Sequence, residues 1–340
     1  MDYFRAYENC RLCPRACGVN RVSGRRGSAR GFCGETDRLR IAHVGPHFGE
    51  EPPITGKNGS GTVFFCGCSL RCAYCQNHQI SQGDAGETVA GDTAFRRIRE
   101  MIRLYRVHNL NFVTPDHFFP HVFYLVSCIR AAGHDLPVVC NLSGYQSVEV
   151  LKQAGDYTDI YLPDFKYSDP DLAARLSRCR EYPAVALAAI SEMVRQKGFL
   201  DTGAEEGSVA RKGVLVRHLV LPGKVRNSVD ALTALFVEFG PDLPLSLMSQ
   251  YHPVAPQEDD DLNRRVSVKE FEAVLAHAAD LGFREMFVQR IETAFERPPF
   301  LPDFHKPDPF GRIRRETPPG EGRPLFSGAP IWLDKRDASS

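Results

Sequence analysis

The chain has 340 residues, 43% of them apolar and 25% charged, which is typical of a folded globular protein. Its 42 basic and 42 acidic side chains cancel, so we expect neither a nucleic acid nor an anionic membrane as its main partner. No apolar run approaches the roughly 18 residues that span a bilayer, and the first twenty residues lack the apolar core of a signal peptide. We therefore expect a cytoplasmic protein.

Eleven cysteines are many for a chain of this length, and their odd number argues against a framework of disulfides. Because no secretory signal is expected, the close spacing of the cysteines favours metal ligation in a reducing compartment. Eight cysteines precede residue 76, and they form two groups. The first group comprises Cys10, Cys13, Cys17 and Cys33.

A polar stretch rich in Gly and Arg separates Cys17 from Cys33, and a segment of this kind normally needs a metal or another cross-link to fold. Four thiolates suit a structural zinc ion or an iron–sulfur cluster, and the spacing does not distinguish the two. We interpret residues 1–58 as a Cys-rich N-terminal module and connector, with the Gly/Pro-rich connector running over about 44–61.

Strand-like and helix-like segments alternate after the connector. The predicted strands cover 62–65, 109–113, 137–142, 159–166, 214–221 and 243–249. The predicted helices cover 94–107, 122–132, 169–176, 184–196 and 230–239. A last helix is predicted to begin at Ser267, which forms a capping box with Glu270.

This alternation predicts right-handed βαβ units and a parallel sheet, hence an α/β fold. Six units fit a partial (β/α)6 TIM-like barrel better than a doubly wound sheet, and we assign the barrel to residues 59–296. The tail over 297–340 is rich in Pro, Arg, Gly and Asp. We expect it to form an irregular extension that packs over the barrel and frays at its end.

The second group of cysteines, Cys68, Cys72 and Cys75, directly follows the first predicted strand. A short loop with this spacing can place three thiolates on three irons of a cubane cluster. The fourth iron would stay open to chelate a small molecule, which indicates a reactive centre rather than a passive electron carrier. Cys66 could compete for an iron, but we favour a small buried residue there. Cys128, Cys140 and Cys179 lie in apolar segments and are expected in the core.

Polar residues stand at the carboxyl ends of the predicted strands, where the catalytic groups of parallel α/β barrels collect. After the cysteine loop these are Thr114 to His117, Asn141 to Tyr145, Asp164 and Lys166, Arg217 and His218, and Gln250 to His252. Polar residues at the carboxyl ends of so many parallel strands favour one shared ligand site over a set of unrelated turns. Individually, Asp164 could cap a helix and His218 could be a satisfied core histidine.

The run CSLRCAYC resembles the cluster motif of the radical S-adenosylmethionine (SAM) superfamily. A longer set of segments within about residues 10–290 resembles one branch, the PflX-like relatives of the pyruvate formate-lyase activating enzyme. These segments are CRLCPRACGVNR, TVFFCGCSLRCAYCQNHQIS, NFVTPDH, NLSGYQ, DIYLPDFKY, VRHLVLPG and SLMSQYHP. Together they are far more specific than any one of them alone.

That resemblance implies a partial (β/α)6 barrel with a [4Fe–4S] cluster on Cys68, Cys72 and Cys75, whose open iron binds SAM. A reductant such as flavodoxin or ferredoxin would supply an electron, and cleavage of SAM would give methionine and a 5′-deoxyadenosyl radical. The radical would take hydrogen from a substrate that the sequence does not name and that could be a protein.

The resemblance also implies the residues of the cofactor site. They are Tyr74, Gln76, Thr114, His117, Asn141, Asp164, Lys166, Arg217 and His252. Backbone near Tyr74 and Gln76 would approach the adenine, and Asp164 with Lys166 would complement the charges of SAM. The run from Thr114 to His117 replaces the Gly-Gly-Glu segment with which activating enzymes meet the SAM amine.

The PflX-like branch shares this replacement, which weakens glycyl-radical activation as the function but leaves radical chemistry intact. The alternative within the same class is an activase that places a glycyl radical on a partner protein. An alternative from another class is a zinc module that binds nucleic acid through the N-terminal thiolates and nearby arginines. Those arginines are Arg21, Arg25, Arg26 and Arg30, and the neutral overall charge argues against this reading.

Overall fold

A computed structural model describes residues 3–201, 208–289, 291 and 301–311. Its strands are β1 (Arg40–His47), β2 (Ser60–Phe65), β3 (Glu87–Thr88), β4 (Leu110–Val113), β5 (Val138–Leu142), β6 (Ile160–Pro163), β7 (Gly213–Val214), β8 (Val216–Leu219), β9 (Leu245–Met248) and β10 (Met286–Val288). The predicted strands coincide with β2, β4, β5, β6, β9 and the pair β7 and β8, and those predictions are confirmed.

Helices alternate with these strands. They are α1 (Pro52–Thr55), α2 (His78–Ser81), α3 (Gly91–Tyr105), α4 (Phe119–Ala131), α5 (Val148–Ala154), α6 (Pro170–Ser177), α7 (Tyr182–Lys197), α8 (Val225–Phe239) and α9 (Val268–Leu281). Short 3-10 turns cover Tyr3–Tyr7, Asp116–Phe118 and Asp260–Asn263. The capping box at Ser267 is present at the start of α9, as predicted. Asp169 caps α6 by accepting from the N–H groups of Asp171 and Leu172.

The strands form two sheets that meet edge to edge. One sheet has the order β3-β1-β2-β4-β5-β6-β7 and the other β10-β9-β8, and the strands from β2 onward run parallel. Asp164 bridges to Arg217 where the sheets meet, and the Phe165 N–H donates to the Arg217 carbonyl at 2.8 Å. This confirms the α/β fold with a parallel sheet, and its open form is consistent with a partial barrel.

The predicted strand over 214–221 is split between the two sheets. Gly213 and Val214 pair with β6, whereas Val216–Leu219 pair with β9. Leu215 stands between them and donates its N–H to Tyr161 of the first sheet at 3.1 Å. The chain therefore crosses from one sheet to the other at a single residue.

Six of the described helices and strands were not predicted. They are β1, β3, β10, α1, α2 and α5. The assignment of residues 44–61 to a connector is wrong in part, because β1 extends to His47 and pairs antiparallel with β2. Gly45 and Pro46 weaken the strand signal in this part of the sequence. On the other side of β1, β3 pairs only with Arg40 and Ile41. Among the described strands, none pairs with the other side of β1 near Pro46, where the missing N–H costs no ladder bond.

The N-terminal segment is anchored to the barrel by a fully buried arginine. The Arg21 guanidinium donates to the carbonyls of His117 at 2.8 Å and Thr36 at 2.6 Å, and it lies over the Tyr7 ring. The Tyr7 hydroxyl shares a 2.7 Å hydrogen bond with His121 of α4. A buried charge is tolerated only where its hydrogen-bond partners are in place. Arg21 therefore fixes the position of the N-terminal segment on the barrel.

Residues 301–311 lie against β2 and form neither a helix nor a strand. The Phe304 and Phe310 rings contact Phe64 of β2 with centroid distances of 5.3 and 5.5 Å. Residues 297–300 and 312–340 of the predicted C-terminal extension lie outside the described residues. Among the described helices, none is both long and apolar enough to span a membrane.

Candidate active site

The cysteine loop leaves β2 through two residues with left-handed backbone. Gly67 has φ +80, and a Cβ there would stand 2.7 Å from the Cys33 carbonyl oxygen and 2.5 Å from the Glu35 side chain. Arg71 has φ +55, which costs a non-glycine residue about 1 kcal/mol or more. These turns wrap the loop so that the three cysteines Cys68, Cys72 and Cys75 line one cavity.

The cavity has a volume of about 220 Å³ and lies at the carboxyl ends of β2, β4, β5, β6, β8 and β9. The structure brings nearly all the predicted cofactor-binding residues to its wall. They are Tyr74, Gln76, Thr114, Asn141, Asp164, Lys166, Arg217 and His252. Of the predicted set, His117 does not line the cavity.

Each of the three cavity sulfurs accepts a hydrogen bond. The donors are the Leu70 N–H to Cys68 at 3.4 Å, the Ser177 hydroxyl to Cys72 at 3.0 Å and the Ser81 hydroxyl to Cys75 at 3.3 Å. Burial raises the pKa of the Cys68 and Cys75 thiols, and the neighbouring sulfur of Cys72 raises both further. Thiolates crowded in this way need a bound cation, which the irons of a cluster would supply.

No three His, Cys, Asp or Glu side chains of the described residues stand close enough to hold a single metal ion. A cubane cluster differs from a single ion because it takes each thiolate on a separate iron. Three cysteines on one wall, each with a hydrogen-bond donor to its sulfur, therefore fit a [4Fe–4S] cluster.

Asp164 and Lys166 form an ion pair in the cavity wall, just after the carboxyl end of β6. Burial lowers the pKa of Lys166, but Asp164 and the surrounding phenols and thiol outweigh it, so the pKa lies well above its usual value. The Tyr182 hydroxyl donates to the Asp164 carbonyl and accepts from the Lys166 N–H, both at 2.9 Å. Gly144, with φ +80, lies so near that a Cβ would stand 2.1 Å from the Asp164 carbonyl oxygen. This close packing fixes a zwitterionic pair in the cavity.

Arg217 is held by two carboxylates that the sequence did not predict. Its guanidinium donates to both Glu50 and Glu51, and all three side chains are at least nine-tenths buried. Burial raises the pKa of Glu50, but Arg217 outweighs this and the pKa falls below its usual value. Asn111 donates to the same carboxylate at 3.1 Å. Glu50 is therefore ionised, and Arg217 faces the cavity already paired.

Glu50 and Glu51 were missed because they lie in the predicted connector, between β1 and α1. The only signal in the sequence is a pair of acids directly before Pro52 and Pro53, a pattern that is common in ordinary helix starts. His47, Leu301 and Phe310 also line the cavity from segments that carried no site prediction.

Asp116 and His117 support the cysteine loop from beneath. Asp116 accepts from the Ser69 hydroxyl at 2.7 Å, and His117 shares a 2.7 Å hydrogen bond with the Cys66 carbonyl. Burial raises the pKa of Asp116 to about 6 and lowers that of His117 to about 3. Both side chains are fully buried, so of the run from Thr114 to His117 it is Thr114 that faces the cavity.

The N-terminal cysteines lie behind the same loop rather than in the cavity. Cys10, Cys13 and Cys33 are buried, and Cys17 accepts from the Phe32 N–H at 3.4 Å. The Cys68 N–H donates to the Cys33 carbonyl at 3.3 Å, so the two cysteine groups are in direct backbone contact.

The other predicted alternatives are placed as follows. Cys66 donates to the Ala85 carbonyl at 3.3 Å within an apolar cluster, away from the cavity wall. Cys140 and Cys179 are buried, and Cys128 is half-buried on α4. His218 is a satisfied core histidine, bonded to the Phe165 carbonyl and the Ser228 hydroxyl.

Residues 62–233, just over half of the chain, match the sequence profile described as "Radical SAM superfamily". The chain therefore belongs to the radical SAM superfamily. Membership implies a [4Fe–4S] cluster and SAM as cofactors, and the cysteines that match the cluster motif line the cavity with the Asp164 and Lys166 pair.

One relative is "Uncharacterized protein MJ0674" of Methanocaldococcus jannaschii, which is 29% identical over an alignment of 282 residues that covers 79% of this chain and 74% of that protein. Among solved structures, the chain resembles HydG, a maturase of the [FeFe]-hydrogenase, and methylornithine synthase (PylB). Both have a TM-score of 0.44 and 14% identity over 66% of this chain. The matches span 50% of HydG and 63% of methylornithine synthase.

Proposed function

We propose that this protein is a radical SAM enzyme of the PflX-like branch, which reductively cleaves SAM and abstracts hydrogen from a substrate. The observation that carries the proposal is that Cys68, Cys72 and Cys75 share one cavity with Asn141 and the Asp164–Lys166 pair. When bound, the cluster and SAM would supply the 5′-deoxyadenosyl radical. The branch assignment rests on the segments that resemble PflX-like proteins, including the Thr-Pro-Asp-His run.

In this proposal the three cavity cysteines hold the cluster, and the hydrogen bonds to their sulfurs stabilise thiolate charge. SAM carries a cationic amine and sulfonium and an anionic carboxylate. Asp164 and Lys166 offer one charge of each sign within the cavity and would orient the two ends of such a ligand. Asn141 adds an amide on the neighbouring strand, and Tyr74 with Gln76 would border the adenine.

A primary alkyl radical attacks many C–H bonds, so the site must exclude water and stray side chains. Apolar side chains make up much of the remaining wall and would do this. They are Phe64, Leu70, Val113, Leu142, Leu219, Met248, Leu301 and Phe310. Because Leu301 and Phe310 come from the C-terminal segment, that segment would help to close the cavity around a small substrate. An activase would instead need room there for a peptide loop of a partner protein.

The test is anaerobic purification with iron and sulfide analysis, followed by reduction in the presence of SAM. We expect methionine and 5′-deoxyadenosine from the unaltered protein and neither from the variants C68A, C72A and C75A. C128A is the matched control, since Cys128 lies outside the cavity and should keep both the cluster and the activity. SAM cleavage by all three cavity variants would refute the proposal.

We further propose that residues 1–58 form a module in which Cys10, Cys13, Cys17 and Cys33 bind a second metal, zinc or an iron–sulfur cluster. In support, Cys10, Cys13 and Cys33 are buried, and the Cys33 carbonyl contacts the cluster loop. Changing Cys10 or Cys13 to Ser should lower solubility or remove one metal equivalent. Unchanged metal content in both variants would contradict this role. Under the same proposal the barrel spans 59–296, and the protein acts in the cytoplasm.

A further inference from the structure

The cysteine loop reaches the protein surface beside the last turn of α6. Ala73, which lies between Cys72 and Cys75, is exposed, and its N–H donates to the Leu176 carbonyl at 2.8 Å. The next residue of the helix, Ser177, donates its hydroxyl to the Cys72 sulfur at 3.0 Å. A cluster-ligand sulfur is therefore hydrogen-bonded to the end of α6 and lies in the residue next to the exposed Ala73.

The loop and the end of α6 carry three arginines. Arg71 belongs to the loop itself, and Arg175 and Arg178 are exposed at the end of α6. Among the described residues, none of these three arginines forms an ion pair, and the buried Nε of Arg71 has no hydrogen-bond partner. We call Arg71, Ala73, Arg175 and Arg178 the cluster-side patch.

Arg15 of the N-terminal segment holds the patch together. Its guanidinium donates to the Ser69 carbonyl at 3.1 Å on the loop, and to the Ser177 and Arg178 carbonyls at 3.1 and 2.7 Å on the helix. The last carbonyls of a helix carry partial negative charge, and a guanidinium on them neutralises it. The loop and the helix end are thus fixed to one another, and the end of the helix presents no negative charge.

The patch keeps a positive charge on a chain whose formal net charge is zero. Of the nearby acids, Asp171 pairs with Arg180, while Glu181 keeps its charge and accepts from the Tyr145 hydroxyl, so the arginines outnumber the unpaired acids here. A positive patch on the surface attracts an acidic partner and raises the rate at which the two meet.

We propose that the cluster-side patch docks an acidic, low-potential one-electron carrier protein, which delivers its electron to the cluster along the short route through Ala73 and Ser177. This inference rests on the proposed function, since it requires the cluster. In the transfer, the carrier is oxidised by one electron and the cluster is reduced by one, and no covalent bond forms or breaks. A nucleic acid would also bind arginines, but it would have no reason to favour the point where a ligand sulfur approaches the surface.

The test compares two reductants on the reconstituted holoprotein in a stopped-flow instrument. One is an acidic flavodoxin in its reduced form, and the other is photoreduced 5-deazaflavin, a small donor that needs no docking site. The variant is R175E/R178E. The matched control is R99E/R103E, which makes the same change of charge on exposed positions of α3, a helix that packs on α4, β1 and β2.

We expect R175E/R178E to slow reduction by flavodoxin at least tenfold at low salt while reduction by deazaflavin is unchanged. Added salt should slow the flavodoxin reaction of the unaltered protein, and R99E/R103E should behave like that protein. Equal flavodoxin rates in R175E/R178E and the unaltered protein, or a rate independent of salt, would overturn the proposal.

If deazaflavin also reduces the cluster of R175E/R178E more slowly, the neutral variant R175Q/R178Q is measured in its place. The proposal then requires that R175Q/R178Q slows reduction by flavodoxin and leaves reduction by deazaflavin unchanged. Retention on an RNA column that depends on the patch, together with unchanged flavodoxin rates, would assign the patch to nucleic acid and overturn the inference. The deazaflavin measurement separates the two proposals. A cluster that deazaflavin reduces and that then cleaves SAM leaves the proposed function standing whatever flavodoxin does.

Discussion

Replacing Arg217 by Met should destabilise the protein severely, because it leaves two carboxylates buried without their partner. The Glu51 side chain is fully buried, and those of Arg217 and Glu50 are each 8% exposed. Met fills much of the volume of the arginine stem, so the main loss is charge rather than packing. The surviving carboxylates can then only remain ionised without a partner or take up protons.

The expected cost is about 3–5 kcal/mol, the usual result of removing one member of a buried ion pair. At roughly 2 °C for each kcal/mol in a domain of this size, the melting temperature should fall by about 6–10 °C. A matched control is R226M, because Arg226 pairs with Asp230 on the surface of α8 and its side chain is 86% exposed. Exposed pairs of this kind contribute about 0.5 kcal/mol or less, so R226M should unfold like the unaltered protein.

The assay is urea unfolding under anaerobic conditions, followed by circular dichroism. The triple variant R217M/E50Q/E51Q, which removes the orphaned charges, should recover at least half of the lost stability. A cost below about 1 kcal/mol for R217M, or no recovery in the triple variant, would show that the carboxylates are not buried against Arg217 as described.

Three further predictions concern the cavity and the core. G144A should weaken SAM binding at least tenfold and should destabilise the protein more than G133A does. Both glycines have φ near +80, but only at Gly144 would a Cβ meet the Asp164 carbonyl oxygen, at 2.1 Å. Equal effects of the two substitutions in calorimetry would refute this. K166M should weaken SAM binding by a similar factor while the iron content stays unchanged; unaltered affinity would contradict the assignment. Burial lowers the pKa of His218 to about 4, so the folded state binds fewer protons than the unfolded state, whose histidine has a pKa of about 6.5. His218 alone should therefore lower stability by up to about 3 kcal/mol as the pH drops from 6.5 to 4, and H218Q should reduce the measured loss by that amount in urea titrations at several pH values.

The parallel core and most of the cavity wall could be predicted because both leave regular signals in the sequence. Apolar runs separated by helical periodicity identified the strands, and polar residues at their ends identified the wall, including Asn141 and Asp164. The cysteine spacing identified the loop because ligands of one cluster must come from a short segment.

The rest depends on contacts between distant segments, for which a single sequence carries no signal. Glu50 and Glu51 reach Arg217 across more than 160 positions of the chain. His117 turns away from the cavity because Thr114 has φ +55 and a 3-10 turn begins at Asp116, so neighbouring residues of one run face different directions. α5 has only seven residues, which is too short for its periodicity to be distinguished from that of a loop.

The crossing of the chain at Leu215 has a mechanical consequence for the cavity. Asp164 belongs to the edge of the first sheet and Arg217 to the second, so the cavity lies over the seam where the sheets meet. A ligand that contacted both walls would bridge the two sheets, so the sheets could separate only after the ligand had been released. Its binding free energy would add to the resistance of the folded chain to unfolding, so occupancy of the cavity and survival of the fold would rise and fall together.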